Sequence, residues 1–170
     1  MDKLGQPVSP LEVVENGNRH LHASGVYVVC LRTGIVLTRQ GGTLERMVPM
    51  FKRVLGGPFG SGRQYWSWVA LNDVVRAIEF ALQRDRLSGP MNIVSPTPVT
   101  NTEFTKTLAA VLHRPAVFSV PAPILRLALG EMADSLVLSS QRVEPRRLIE
   151  EGFSFNHPTL TGAFDSILAR

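Results

Sequence analysis

Two arginines lie where the sequence predicts that a strand meets a glycine, and this placement suits the binding of an anionic ligand. Arg32-Thr33-Gly34 follows the apolar run 26–31, and Arg63-Gln64 follows Gly60-Ser61-Gly62. A guanidinium group donates two parallel hydrogen bonds to a phosphate or carboxylate, and glycine allows a ligand to approach the backbone. We therefore predict a ligand pocket between the two segments. The alternative for Arg32, an ion pair with an acidic side chain at the strand end, remains open.

Aromatic side chains follow Arg63 and extend the candidate pocket. Trp66 and Trp68 lie in a predicted strand, 65–71, in which alternate side chains point to opposite faces. A flat aromatic surface beside an arginine suits a planar or phosphorylated ligand. We name Arg63, Gln64, Trp66 and Trp68 as substrate-binding candidates, although core packing is the favoured alternative for the tryptophans. The glycines of residues 56–62 predict a mobile loop at the edge of this pocket.

Other reactive side chains do not form a recognisable site. His20 and His22 have no third ligand nearby in the sequence, which argues against a metal site. Cys30 lies in an apolar run, where a thiol usually packs without reacting, and a single cysteine cannot form an internal disulfide. We expect Asp73 to have a structural role, in capping a helix and ordering a loop.

Composition limits the class of protein. The chain has 170 residues, 44% of them hydrophobic and 19% charged, which is typical of a globular protein. Its net charge is +4, but the arginines are scattered, so we do not predict nucleic-acid binding. No run reaches the roughly 20 apolar residues of a membrane-spanning helix, and no secretory signal is visible. We predict an intracellular protein, with the cytoplasm favoured over mitochondrion and nucleus.

Strands and helices alternate along the chain, which predicts an α/β fold. The apolar runs Val26–Leu31 and Met91–Val94 indicate strands of one parallel sheet, the first buried on both faces. The amphipathic segment 72–82 predicts a helix packed on that sheet, with Asn72 or Asp73 at its N-cap. Residues 47–55 also have helical spacing.

The second half is richer in helix. Thr100 and Glu103 have the spacing of a capping box, and we predict further helices over 122–129, 132–138, 145–151 and 160–168, with a strand over 116–121. We divide the chain into a poorly defined segment 1–24, the C-terminal part of a Rossmann-like domain over 25–95, and a small helix-rich C-terminal subdomain over 96–170.

The sequence lacks the turn that binds a dinucleotide. A Gly-x-Gly-x-x-Gly turn follows a strand and opens a helix, so that backbone amides hold the pyrophosphate. The glycines at 56, 57, 60 and 62 do not fit this spacing, and they precede a predicted strand. A connection or the lip of a pocket is the favoured interpretation.

A succession of motifs identifies a family resemblance. These are RTGIVL at 32–37, GGTLERMVPMFKRVLGGPFGSGRQYWSWVALNDVVRAIEFAL at 41–82, SGPMNIVSPTPVTNTEFTKTLAAVLHRP at 88–115, and the ending from VPAPILRLALGEMADSLVLSSQRVEPRRLIEEGFSF. The chain resembles the C-terminal half of the nucleoside-diphosphate-sugar epimerase-like proteins, which are atypical extended short-chain dehydrogenase/reductases.

The resemblance implies an NADP or NAD cofactor, held by an N-terminal half that has no counterpart here. It places Arg32, Thr33 and Gly34 near the nicotinamide, and Arg63 at the diphosphate of a nucleotide-sugar substrate. The Tyr-x-x-x-Lys pair of related enzymes is absent, because Leu31 follows Tyr27 and Val69 follows Tyr65 at that spacing. The resemblance therefore assigns no catalytic residue. We do not expect this chain alone to bind the dinucleotide tightly.

Two functions follow as alternatives. The first is the substrate-side half of an NAD(P)-dependent epimerase-like oxidoreductase acting on a nucleotide-sugar-like or other small anionic substrate. The second is a non-catalytic remnant or interaction module that does not bind cofactor. A sheet that contains only half of the family's strands has an edge strand with unpaired backbone groups. We therefore also expect a homo-oligomer or a partner chain that covers this edge.

Overall fold

The computed structural model describes residues 27–85, 87–130 and 133–169 of the chain. These ranges contain six strands, six α-helices and one π-helix. In chain order the elements are β1 (Val29–Thr33), β2 (Ile35–Leu37), α1 (Gly42–Lys52), β3 (Tyr65–Trp66), β4 (Trp68–Ala70), α2 (Leu71–Leu82), β5 (Gly89–Ile93), β6 (Val99–Thr100), α3 (Asn101–Val111), α4 (Ala122–Leu129), the π-helix (Ala133–Val137), α5 (Arg146–Glu150) and α6 (Leu160–Leu168).

Parallel pairing joins the strands that the sequence predicts to share a sheet. β1 and β5 pair in parallel, with Leu31 opposite Met91, and β2 pairs in parallel with β4. Helix α2 packs on this layer, since its Ala77 belongs to the same buried cluster as Met91 and Val69. The predicted parallel strands and the helix on their face are therefore confirmed, and the fold is α/β.

The burial predicted for the first strand is wrong. No residue of β1 is fully buried, and Leu31 is 39% exposed whereas Met91, its partner on β5, is 0% exposed. On that face of the sheet Val29 packs against the buried cluster that contains Met91, but Leu31 is left partly exposed. The continuous apolar run indicated a strand correctly but could not indicate how much of it is covered.

The single strand predicted over 65–71 is also wrong, because the chain forms two short strands that pair with different partners. β3 pairs antiparallel with β6, and β4 pairs parallel with β2. Ser67 lies between them, and its hydroxyl donates to Gln141 O at 2.7 Å and accepts from Val143 N at 2.8 Å. These contacts with a distant segment interrupt the strand.

A second core joins the first and second halves of the sequence. The ring of Phe104 on α3 lies 5.0 Å from Trp66 and 5.1 Å from Phe164 on α6, both edge-on. Leu37 and Phe51 belong to the same buried cluster. The predicted boundary at 95/96 stays a prediction, and this core contains residues from both sides of it.

The two best-patterned helices begin differently. Thr100 forms the predicted capping box with Glu103 at the start of α3, so that prediction is confirmed. The predicted cap of α2 is wrong: its N-cap is Ala70, which makes no side-chain hydrogen bond. The carboxylate of Asp73 binds backbone amides of a distant segment instead.

The helices of the second half agree with the sequence in part. Helices α4, α5 and α6 lie within the predicted ranges 122–129, 145–151 and 160–168. The strand predicted over 116–121 is wrong, since the segment forms a single parallel bridge between Val120 and Phe59. The helix predicted over 132–138 is observed as a π-helix. No helix in the described ranges has the length and apolar character needed to cross a membrane.

Candidate functional site

The glycine loop, residues 56–62, is packed against its own chain. A Cβ atom at Gly57 would collide with the carbonyl of Phe118, and one at Gly62 would collide with the side chain of Thr102. Gly60 N donates to Val120 O at 2.9 Å, and Val120 N returns a bond to Pro58 O at 2.9 Å. The glycine content predicts a mobile loop, whereas these contacts hold the loop against other segments. The glycines have no side chains, so the backbone can pack closely here.

Asn101 and Gln64 fix the middle of the glycine loop. The amide of Phe59 donates to Asn101 Oδ1 at 2.7 Å, and Gln64 Nε2 donates to Phe59 O at 2.9 Å and to Val137 O at 3.3 Å. Gln64 is buried. Its predicted contact with substrate stays untested, and the interactions observed for its side chain are internal ones.

The two tryptophans belong to the core. Trp66 is 4% exposed and Trp68 is 0% exposed. Their indole groups donate to Val137 O at 3.2 Å and to Thr97 O at 3.0 Å, respectively. Both side chains are therefore satisfied within the chain, in agreement with the core alternative raised by the sequence.

Arg63 lies at the exposed end of the glycine loop. Its backbone amide donates to Ser61 Oγ at 3.3 Å, which fixes the direction of the chain at this point. Of the four predicted substrate-binding residues, Arg63 alone has an exposed side chain. It can therefore meet an anion from solvent without disturbing the core.

Arg32 and Thr33 lie within β1, and Gly34 separates β1 from β2. A Cβ atom at Gly34 would collide with the carbonyl of Ser67 and come within 3.0 Å of Val94 Cγ1. Glycine is thus required here by neighbouring protein atoms, and the approach of a ligand to Gly34 stays a prediction. The cofactor-binding roles of Arg32 and Thr33 stay predictions.

Two surface depressions of the described residues lie away from the predicted pocket. One depression of about 380 Å³ is lined by Arg84, Asp85, Leu87, Arg147 and Glu151. Another, of about 270 Å³, is lined by Pro96, Glu144, Pro145, Arg146, Ile149 and Glu150. Neither is lined by Arg32 or Arg63. The structure brings Gly34 beside Ser67, and the joint arrangement of the two arginines around a ligand stays a prediction.

Asp73 has a larger role than its sequence position revealed. It is completely buried, and its carboxylate accepts from the amides of Asn156 at 2.8 Å and His157 at 2.9 Å. Arg76 Nη1 donates to Asp73 Oδ1 at 3.2 Å and to Ser154 O at 2.8 Å. Asp73 therefore orders a loop, as the sequence predicts, but by fastening residues 154–157 to helix α2.

Titratable groups elsewhere are shifted by local contacts. The backbone amide of Thr100, followed by its hydroxyl, holds the pKa of Glu103 below its ordinary value. A two-pronged hydrogen bond from Arg126 lowers the pKa of Asp134. Both carboxylates are exposed. No cluster of three or more potential metal ligands occurs in the described ranges, and His20 and His22 lie outside them.

Comparison with known proteins identifies relatives along most of the chain. Residues 120–167 match a family described as a domain of unknown function, DUF1731. An epimerase family protein from Mycobacterium bovis is 46% identical over 146 residues, which are 86% of this chain and 48% of that protein. The chain spans about half the length of the curated relatives that it matches.

Solved structures agree with this relationship. The human epimerase family protein SDR39U1, crystallised with NADPH, matches with a TM-score of 0.80 and 32% identity, over 89% of this chain and 54% of that chain. A nucleoside-diphosphate sugar epimerase from Corynebacterium glutamicum matches with a TM-score of 0.72 and 28% identity, over 96% of this chain and 32% of that chain. Over the part that it spans, this chain is similar to the C-terminal half of epimerase family proteins and matches the C-terminal part of their Rossmann-like fold.

Proposed function

We propose that this chain is the substrate-side half of an NAD(P)-dependent epimerase-like oxidoreductase, acting on a nucleotide-sugar-like or other small anionic substrate. The observation that carries the proposal is the match to the NADPH-bound human relative over 89% of this chain. In such an enzyme the cofactor supplies hydride transfer, and the protein binds and orients the reactants.

The position of the strand ends supports a ligand site at one edge of the sheet. In open α/β sheets, ligands bind outside the carboxyl ends of parallel strands. β1 ends at Thr33 and β5 ends at Ile93, and these two residues are opposite one another in the parallel pair. Arg32 precedes this edge by one residue, so its placement suits a ligand bound there.

The residues of this chain do not fit the pyrophosphate of a dinucleotide. The glycine loop leads into strand β3 rather than into a helix. The space on the Cβ side of Gly57 and Gly62 is filled by Phe118 and Thr102 of the same chain, which leaves no room for a phosphate on that side. A second half must therefore hold the cofactor, with Arg32 and Thr33 contributing at its nicotinamide end.

Arg63 is the residue that we propose for the anionic part of the substrate. Its side chain is exposed, while the buried bonds of Gln64 hold the loop beneath it. A fixed loop keeps the backbone of Arg63 in one place, which reduces the entropy lost on binding. The planar donor group suits a diphosphate or a carboxylate.

The test is a substitution in the chain completed by a cofactor-holding half. Arg63→Ala should weaken binding of a nucleotide sugar by about 1.5–3 kcal/mol, the scale of a charge-assisted hydrogen bond. Arg146→Ala, which removes another exposed arginine, should leave binding unchanged. Isothermal titration calorimetry over a set of nucleotide sugars measures both.

Three results would count against the proposal. Equal small effects of the two substitutions would mean that Arg63 is a surface charge with no ligand. Submillimolar binding of NADPH by the 170 residues alone would contradict the need for a second half. A completed protein that binds neither NADPH nor any nucleotide sugar would favour the non-catalytic interaction module.

A further inference from the structure

The outer edge of β5 consists of the backbone groups that point away from β1. The amide of Gly89 donates to Val28 O at 2.7 Å, so it points toward β1. In a parallel pair, the backbone groups of alternate residues bond to the partner strand, so Pro90 and Asn92 direct theirs outward. Ser88 O also points outward, because a carbonyl lies opposite the next amide in a trans peptide. Among the described residues, β1 is the only strand that pairs with β5.

Arg147 of helix α5 occupies the beginning of this outer edge. Its Nη1 atom donates to Ser88 O and, at 3.4 Å, to Pro90 O. Gly89 lies between these two carbonyls and has a φ of 85°, a left-handed conformation that favours glycine. The chain bends there, so one nitrogen can reach both carbonyls. Leu148, next to Arg147, is buried in a cluster with residues of β5, which fixes the helix that carries the guanidinium group.

Two further features of the outer edge oppose the pairing of another strand. Pro90 has no N–H, so it interrupts the row of donors that a neighbouring strand would use. The depression of about 380 Å³ that Arg147 helps to line lies beside this edge, and four of its five lining residues are charged. A strand seated there would have to remove these charges from water, which is costly. Beyond this closed part, the amide and carbonyl of Asn92 are directed outward.

We propose that Arg147 prevents the outer edge of β5 from pairing with the same strand of a second copy of this chain. An unpaired strand edge offers the backbone groups that another strand needs, and proteins protect such edges with charged side chains and prolines. The same edge occurs on each copy, so two β5 strands can pair antiparallel about a two-fold axis. The guanidinium group holds carbonyls that the second strand would use.

This role of Arg147 is independent of any cofactor or substrate. It also bears on the homo-oligomer or partner chain that the sequence predicts for an exposed strand edge. With Arg147 in place, we do not expect such a partner to pair with β5.

A purely structural role is the alternative for Arg147. Its bonds to Ser88 and Pro90 also attach α5 to β5, so their loss would lower stability without changing self-association. The two roles differ in their dependence on Asn92. Pairing through the outer edge uses the outward amide of Asn92, whereas the attachment of α5 does not.

The test compares the self-association of variants of the 170-residue chain by sedimentation velocity over a series of protein concentrations. Relative to the unsubstituted chain, Arg147→Ala should lower the concentration at which half of the protein associates by about tenfold or more, the equivalent of one hydrogen bond to a charged group. Arg146→Ala, which removes the neighbouring exposed arginine of α5, should leave association unchanged.

A second substitution identifies the surface that associates. Asn92→Pro added to Arg147→Ala should restore the behaviour of the unsubstituted chain, because proline has no N–H to donate to the second copy. Near-ultraviolet circular dichroism follows the packing of the buried tryptophans in each variant. If Arg147→Ala weakens that signal, Arg147→Met, which keeps an apolar stem and lacks the donors, takes its place with the same expectation.

Four results would overturn the proposal. Equal association of the Arg147 and Arg146 variants would mean that neither arginine protects the edge. Association that Asn92→Pro does not reverse would place the contact outside β5. Lower stability of Arg147→Met with unchanged association would leave Arg147 the structural role alone. Loss of the fold in Asn92→Pro by itself would contradict the outward direction of that amide.

Discussion

Helices α2 and α3 are of nearly equal length, with 12 and 11 residues, but they are stabilised in different ways. The N-terminus of α3 is capped by its own neighbouring residues, Thr100 and Glu103, and the helix buries Phe104 and Leu108 in the core. α2 has no side-chain cap, and its buried Asp73 binds amides more than 80 residues away. The local sequence is sufficient to start α3, whereas α2 depends on the tertiary structure around it.

The difference extends to the outer surfaces of the two helices. Apolar side chains of α3 point into a cluster that also contains α6 and Trp66. α2 buries Ala77 but leaves four larger apolar side chains exposed. Helix α2 is thus held by polar contacts and exposes apolar side chains, whereas α3 buries its apolar side chains. The following substitutions test this comparison.

The largest effect is expected at the anchor of α2. Asp73→Ala removes the acceptor for two backbone amides and leaves Arg76 without its carboxylate. Breaking a buried charged contact on one side typically costs about 3–5 kcal/mol, and we expect a loss of that size in the free energy of unfolding, measured by urea denaturation.

Asp85→Ala provides the control for this measurement, since Asp85 is exposed just beyond the same helix. Its effect should stay within about 0.5 kcal/mol. Similar losses for the two variants would show that α2 does not depend on its buried anchor.

A smaller effect is expected at the cap of α3. Thr100→Ala removes the hydroxyl that accepts from Glu103 N at 3.2 Å. Loss of an N-cap side chain costs about 1 kcal/mol. Urea denaturation should show this loss for Thr100→Ala, while Thr100→Ser, which keeps the hydroxyl, should retain most of the stability. Equal losses for both would assign the effect to the methyl group.

The smallest effect concerns pH. Hydrogen bonds from Thr100 lower the pKa of Glu103 in the folded state, so its carboxylate stabilises the fold above the unfolded pKa. That contribution is lost as the pH falls through the lowered folded value. Because Glu103 is exposed, solvent screening limits the contribution to about 0.5 kcal/mol.

The corresponding measurement compares the unsubstituted chain with Glu103→Gln at about pH 7 and about pH 3, on either side of an ordinary glutamate pKa. Glutamine can occupy the same position in a capping box but does not titrate. The stability difference between the two proteins should therefore shrink at low pH. A difference that does not change with pH would exclude the Glu103 charge as its source.

Features that depend on neighbouring residues were predictable from the sequence. The capping box at Thr100 needs a partner three residues away, and α6 occupies the predicted range 160–168. The apolar runs that become β1 and β5 also indicated parallel strands correctly. The family resemblance depended on ordered local motifs, and the relatives confirm it.

The tertiary structure alone decided the features whose partners are distant in the chain. Ser67 separates β3 from β4 because its hydroxyl is hydrogen-bonded to the backbone of Gln141 and Val143. Asp73 does not cap helix α2 because its carboxylate accepts hydrogen bonds from two backbone amides near residue 156. The sequence places glycines in the loop 56–62, but folding fills the space beside them with protein atoms. Local sequence thus determined where elements begin, while contacts between distant segments determined which polar groups and glycines serve the fold and which surfaces stay available for a ligand or a partner.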